Sequence, residues 1–102
     1  MEQPDPIIHQ PVRLKIMSAL KVLPAGEPIE FVRLKAIVAA TEGNLGAHIT
    51  TLEEAGYAAV EKDFVGKRPR TRIALTKQGR RAFEDYIAYL RDIIDGEPAV
   101  SK

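Results

Sequence analysis

A mainly α domain with a small β-hairpin, in the order α-α-α-β-β-α, is the fold class that the sequence predicts. Two observations carry that expectation. Apolar residues recur at spacings of three and four before residue 55 and again after residue 76, the period of helices that bury one face. Between these stretches, Tyr57–Val65 and Thr71–Leu75 are β-rich and flank Gly66-Lys67-Arg68-Pro69-Arg70, so they read as two strands around a Gly/Pro loop.

Taken in order, residues 1–8 read as a flexible N-terminal arm, because Pro4 and Pro6 stand among acidic residues. Past Pro11, the positions Val12, Ile16, Met17, Leu20 and Leu23 predict a first helix over about 10–23. Proline suits its first turn, and Pro24 with Gly26 ends it. Ile29 can supply one short strand. A second, short helix is expected over 30–38, with Phe31, Leu34, Ile37 and Val38 apolar. Thr41 can cap a third over about 42–55, whose inner stripe is Leu45, Ile49 and Leu52. Gly56 stands where a left-handed residue commonly closes a helix. Two helices joined by a few residues, the second amphipathic, make a helix-turn-helix candidate. Thr76 can cap the last helix, about 77–95, with Phe83, Tyr86, Ile87, Leu90, Ile93 and Ile94 along one side. The folded domain is therefore expected over 9–95, followed by a tail at 96–102.

A length of 102 residues fits one domain. Cysteine is absent, which removes disulfides, thiolate metal sites and thiol nucleophiles together. The longest apolar run, Ala36–Ala40, is far short of the ~20 residues that span a bilayer. The acidic, proline-broken N-terminus does not read as a secretory signal, so a cytoplasmic location without membrane contact is expected. Serine occurs only at Ser18 and Ser101, and histidine only at His9 and His48, 39 positions apart. No catalytic set, metal site or cofactor loop emerges, and the chain does not read as an enzyme.

The net charge of +1 conceals segregation. Residues 1–63 sum to −3 and residues 84–102 to −3, whereas residues 64–83 hold seven basic side chains and no acidic one. A basic block in a balanced chain points to a local anionic partner.

Particular residues then match a family. His9-Gln10-Pro11-Val12-Arg13-Leu14-Lys15-Ile16 resembles the H-x-P-x-R-x-x-I opening of ArsR-like regulators. Thr41–Tyr57 resembles their recognition helix running into Leu-Glu-Glu-Ala-Gly-Tyr, and Phe64–Arg72 is similar to their wing. Leu75-Thr76-Lys77-Gln78-Gly79-Arg80 is similar to the start of the final helix in MarR-like proteins. The resemblance, over about 7–95, is to small, stand-alone winged helix-turn-helix transcriptional regulators. It implies a partner in double-stranded DNA, with the helix 42–55 in the major groove and the basic wing 64–72 on phosphates or in a minor groove.

With Leu45, Ile49 and Leu52 facing inward, Asn44, Ala47, His48 and Thr51 are the expected groove residues, joined by Thr41 at the helix start. Gly43 and Gly46 each cost roughly 1 kcal/mol of helix propensity. They admit two explanations, close approach of backbone to a partner or tight packing between helices. Arg33 and Lys35 are candidate phosphate contacts. In the wing, Lys67 and Arg68 occupy the tip, while Arg70 and Arg72 share one strand face with no structural duty visible in the sequence. The last-helix stripe Phe83, Tyr86, Ile87, Leu90, Ile93 and Ile94, with Ile7, Ile8 and Val12, is expected to form a homodimer interface. The alternative function is a winged-helix protein-interaction module without direct DNA readout. No effector can be read from the sequence.

Overall fold

The computed structural model describes residues 4–96. Helix α1 spans Pro11–Lys21, strand β1 Ile29–Glu30, helix α2 Phe31–Val38 and helix α3 Glu42–Glu54. Strands β2, Ala58–Val65, and β3, Arg68–Leu75, follow, and helix α4, Lys77–Asp95, closes the order. This is the winged helix-turn-helix arrangement. The three strands form one antiparallel sheet in the order β1-β3-β2, so the short strand expected at Ile29 packs beside β3 opposite Ile73.

Local chemistry explains the helix starts. The Gln10 side chain accepts the Arg13 amide at 2.8 Å, with Pro11 in the first turn needing no such acceptor. Thr41 Oγ1 accepts the Asn44 amide at 3.2 Å, and Thr76 Oγ1 accepts the Gly79 amide at 2.9 Å. Ala39, at φ 56°, turns the chain sharply between α2 and α3.

The core gathers Ile16, Met17 and Leu20 of α1, Leu34 of α2, Leu45 and Leu52 of α3, and Ile73 of β3, each at most 1% exposed. Helix α4 joins it through Phe83 and Tyr86, and its start is locked against the α3–β2 junction. There Thr76 N donates to Tyr57 O and Thr76 Oγ1 donates to Gly56 O at 2.6 Å. Gly79 is pressed so close that a Cβ would lie 2.1 Å from the Tyr57 carbonyl oxygen.

Three expectations need correction here. The arm expected over 1–8 is part of the folded unit where it is described, and residues 1–3, like the tail 97–102, lie outside the described residues. Ile8 is fully buried, and Asp5 accepts both the Ile7 amide and the Tyr57 hydroxyl, tying residues 5–8 to the body. The loop expected over 66–70 is a two-residue turn, Gly66-Lys67, and β3 already begins at Arg68. Gly66 at φ 64° ahead of a residue with ordinary φ is the type II′ pattern, whose twist matches paired strands. That turn makes Val65 and Arg68 the closing hydrogen-bonded pair. Pro69 then falls opposite Phe64 at the next, non-hydrogen-bonded position, where its missing N–H costs the hairpin nothing. Finally, Ile8, Phe83 and Tyr86, expected at a dimer interface, belong to the chain's own core at 0%, 6% and 4% exposure.

Candidate nucleic-acid interface

Helix α3 buries Leu45, Ile49 and Leu52, the stripe its spacing predicts, and this turns the rest of the helix outward. Thr41 at the cap, Asn44 and Ala47 are exposed, while Thr51 and His48 are half-buried, His48 on the side toward α1. Gly43, Thr50 and Glu54 are also exposed, so the outermost line of the helix runs nearer Gly43, Ala47 and Thr50 than the Asn44–His48–Thr51 edge. A 100° wheel centred opposite Leu45 and Leu52 contains that signal.

The polar groups on this surface differ in what they can still do. Thr50 and Thr51 donate their hydroxyl protons back to Gly46 O and Ala47 O, at 3.0 and 3.3 Å, so toward a partner they offer acceptor lone pairs. Thr41 Oγ1 accepts from the helix and keeps its proton for donation. Exposed Asn44 carries an amide with both donors and an acceptor, the group that pairs with adenine through two bonds. His48 Nδ1 lies 3.0 Å from Arg13 Nη1. Burial first, and the adjacent guanidinium second, hold the His48 pKa below 6.5, so the ring is neutral at neutral pH.

Between α3 and the sheet runs an open trench of about 580 Å³, lined on one wall by Gly46, Thr50 and Glu53 and on the other by Val60, Lys62 and Thr71, with Phe31 of α2 beside them. A Cβ added at Gly43 or Gly46 would meet nothing within 4 Å. Packing between helices therefore does not explain either glycine.

The wing revises the charge reading. Hairpin register sets Asp63 opposite Arg70 and Glu61 opposite Arg72. Arg70 holds Asp63 through two bonds of 2.9 and 2.6 Å, and Arg72 Nη2 sits 2.5 Å from Glu61 and 3.7 Å from Asp63. The hydrogen bond from Arg70 leads in drawing the Asp63 pKa below 3.8. Arg70 and Arg72 thus have the structural duty that a count along the chain conceals, and each side chain is only 28% exposed. Because alternate residues face opposite sides of a sheet, this paired stripe lies on the face away from buried Ile73. Lys62, opposite Thr71, is on the other face and lines the trench. Lys67 and Arg68, both exposed, occupy the tip of the hairpin. On α2, Arg33 lines a separate groove with Val22, Glu27 and Ile37.

Helix α4 is last buried at Tyr86, with Ile87 and Leu90 half-buried and residues 91–96 exposed. Ile93 and Ile94 are 53% and 76% exposed, so the apolar edge continues past the body of the domain. Among the described residues no helix is long and apolar enough to cross a membrane, and no three His, Cys, Asp or Glu side chains gather as around a metal ion.

Comparison with known proteins agrees with this geometry. The profile of the winged helix DNA-binding domain matches residues 12–94. An uncharacterised protein of Methanocaldococcus jannaschii is 40% identical over 81 residues, which make up 79% of this chain and 85% of that protein. A transcriptional regulator homologue from Pyrococcus horikoshii superposes with a TM-score of 0.79 at 32% identity, over 88% of this chain and 86% of that one. A PadR family transcriptional regulator from Eggerthella lenta gives 0.67 at 27% identity, over 79% and 75%. The fold is also shared with a MarR family regulator from Porphyromonas gingivalis, at a TM-score of 0.68 and 15% identity over 95% of this chain and 100% of that one.

Proposed function

The chain belongs to the winged helix DNA-binding domain family and is a DNA-binding transcriptional regulator rather than an enzyme, and from that premise we propose how it holds DNA. Helix α3 enters the major groove with Thr41, Asn44, Ala47, His48 and Thr51 toward the bases. Lys67 and Arg68 reach the adjacent phosphates or minor groove, where arginine is favoured by negative potential. Arg70 and Arg72 support this indirectly, by holding the wing rigid through Asp63 and Glu61. The observation that carries the reading is an exposed, polar, capped face on α3 in a chain whose hairpin tip exposes two unpaired cations, Lys67 and Arg68, among the described residues.

Ile87, Leu90, Ile93 and Ile94 form the contact of a twofold homodimer, with Ile7 and Val12 nearby on the half-buried N-terminal side. A C2 pair presents two recognition helices to half-sites about one helical turn, or ~34 Å, apart. The segment that resembles the opening of ArsR-like regulators is tied to α4 and α3, His9 Nδ1 bonding Tyr86 Oη at 2.7 Å and Arg13 bonding His48. A DNA partner is consistent with residence in the cytoplasm.

Footprinting on DNA selected from a random pool tests this directly. The expected result is a palindromic site with half-sites one turn apart, bound by a species of twice 11.3 kDa. Protection of a single half-site by an 11.3 kDa species refutes the dimer.

A further inference from the structure

His48 does not stand alone on the flank of α3. Its Nδ1 is bonded by Arg13, a residue of α1 distant in sequence, and Arg13 is itself anchored on two backbone carbonyls of the N-terminal segment. Nε donates to Ile7 O at 2.5 Å and Nη2 to Pro6 O at 3.4 Å. That segment is fixed in turn by the fully buried Ile8 and by Asp5, which accepts the Tyr57 hydroxyl. The guanidinium therefore arrives at His48 with an orientation imposed by the body of the protein.

Arginine has only donors and does not lose its charge in proteins. A ring nitrogen facing it must be an acceptor, so the single proton of the neutral ring resides on Nε2. Nε2 has no hydrogen-bond partner among the described residues and is not a buried atom. It is a donor still open to a partner.

We propose that Arg13 is a positioning residue for DNA readout, holding His48 in the tautomer that presents Nε2–H to an acceptor on a base edge. The proposal rests on α3 being the groove helix with His48 toward the bases. Its consequence is a specificity rule. In the major groove guanine offers O6 and N7, thymine O4 and adenine N7, whereas cytosine offers only the N4 donor. A donor-only His48 therefore excludes cytosine at one contacted position in each half-site. Without Arg13 the ring is free to exchange tautomers or flip, and an Nε2 lone pair can accept from cytosine, so the exclusion is lost.

Two measurements test this. Nitrogen–proton NMR of the imidazole ring in the free, full-length protein at neutral pH should show His48 Nδ1 unprotonated and Nε2 protonated. Selection from randomised duplexes should then show one position per half-site at which cytosine is disfavoured by about tenfold, near the lower end of what a base contact contributes. That discrimination should vanish in His48→Ala and in Arg13→Met, and return in part in Arg13→Lys, which restores one donor. A wild-type ring protonated on Nδ1 overturns the proposal without reference to DNA, and does so even if Arg13→Met does not fold. Discrimination absent from His48→Ala but intact in Arg13→Met overturns the role of Arg13 alone. Unchanged selection in His48→Ala overturns the groove-facing placement of His48, and the proposal with it.

Discussion

Alanine should move stability in opposite directions at two helical glycines, Gly46 in α3 and Gly79 in α4. In both helices alanine gains roughly 1 kcal/mol of intrinsic propensity over glycine. At Gly46 the new Cβ meets nothing within 4 Å, so most of that gain survives. At Gly79 the Cβ lands 2.1 Å from Tyr57 O, 2.8 Å from its carbonyl carbon and 2.9 Å from its Cα. This backbone cannot step aside cheaply, because Tyr57 N donates to Leu52 O at 2.9 Å and Tyr57 O accepts Thr76 N at 3.1 Å. Helix α4 would have to lift from the junction, loosening Phe83 and Tyr86. Overpacking costs roughly 1–3 kcal/mol where side chains can yield, and here the obstacle is backbone, so about 3 kcal/mol is the smallest cost expected. The net expectation is stabilisation by about 0.5–1 kcal/mol for Gly46→Ala and destabilisation by about 2 kcal/mol or more for Gly79→Ala. Urea denaturation at constant m-value reads both. For a domain of this size each kcal/mol corresponds to roughly 4–8 °C in Tm. Gly46→Ala should also bind DNA more weakly despite its added stability, because a side chain there would keep the backbone of the proposed groove helix from close approach to its partner. Destabilisation of Gly46→Ala beyond about 0.5 kcal/mol would mean that the space beside Gly46 is not open, and a Gly79→Ala protein as stable as wild type would mean that the Tyr57 backbone does not press on α4.

Other consequences follow from the paired groups. The Asp63 pKa is depressed in the folded state, so its pairing with Arg70 contributes stability above the ordinary value of 3.8 and loses it as pH falls through the lowered one. The stability difference between wild type and Asp63→Asn, followed by denaturation from pH 6 to pH 2, should shrink below about pH 4; a constant difference contradicts the pairing. Tyr57 behaves in the opposite sense, its pKa pushed up to about 12 by burial and by its bond to Asp5. Its contribution is complete below the unfolded value of 10 and is lost as pH rises through about 12, so Tyr57→Phe should flatten the alkaline loss of stability. A spectrophotometric titration with every tyrosine ionising near pH 10 contradicts this. Leu90→Asp with Ile94→Asp should leave a folded monomer of 11.3 kDa by sedimentation, and persistence of a dimer removes α4 from the interface.

Much of the fold was legible because periodicity is a local property. The stripe Leu45–Ile49–Leu52, the caps Thr41 and Thr76 and the left-handed Gly56 all express neighbour relations within a few residues. What escaped was set by partners distant along the chain. Reading Gly66–Arg70 as one loop hid the register; a two-residue Gly66-Lys67 turn would have set Asp63 opposite Arg70 and Glu61 opposite Arg72, and so paired the basic block. The apolar stripe of α4 is continuous in sequence, but it divides where the helix leaves the body, with Phe83 and Tyr86 inside and Ile93 and Ile94 outside. Ile8 lay hidden among prolines that suggested an arm, although it fills the core. At the candidate site, helical phase gave the buried stripe of α3 and so its outward side, while the Arg13–His48 bond depends on how α1 crosses α3 and has no local signature.

Whether the wing tip holds DNA is read from the salt dependence of DNA affinity in a Lys67→Ala, Arg68→Ala variant. Removing one phosphate contact should flatten the plot of log affinity against log salt by about 0.9, and in a twofold dimer every substitution acts at two symmetric positions. If both side chains touch phosphate, the slope should fall by about 3.6 for specific and random DNA alike, with thermal stability within about 0.5 kcal/mol of wild type because both are exposed and neither is paired among the described residues. Wild-type affinity with a wild-type slope would show that the wing tip has no part in holding DNA.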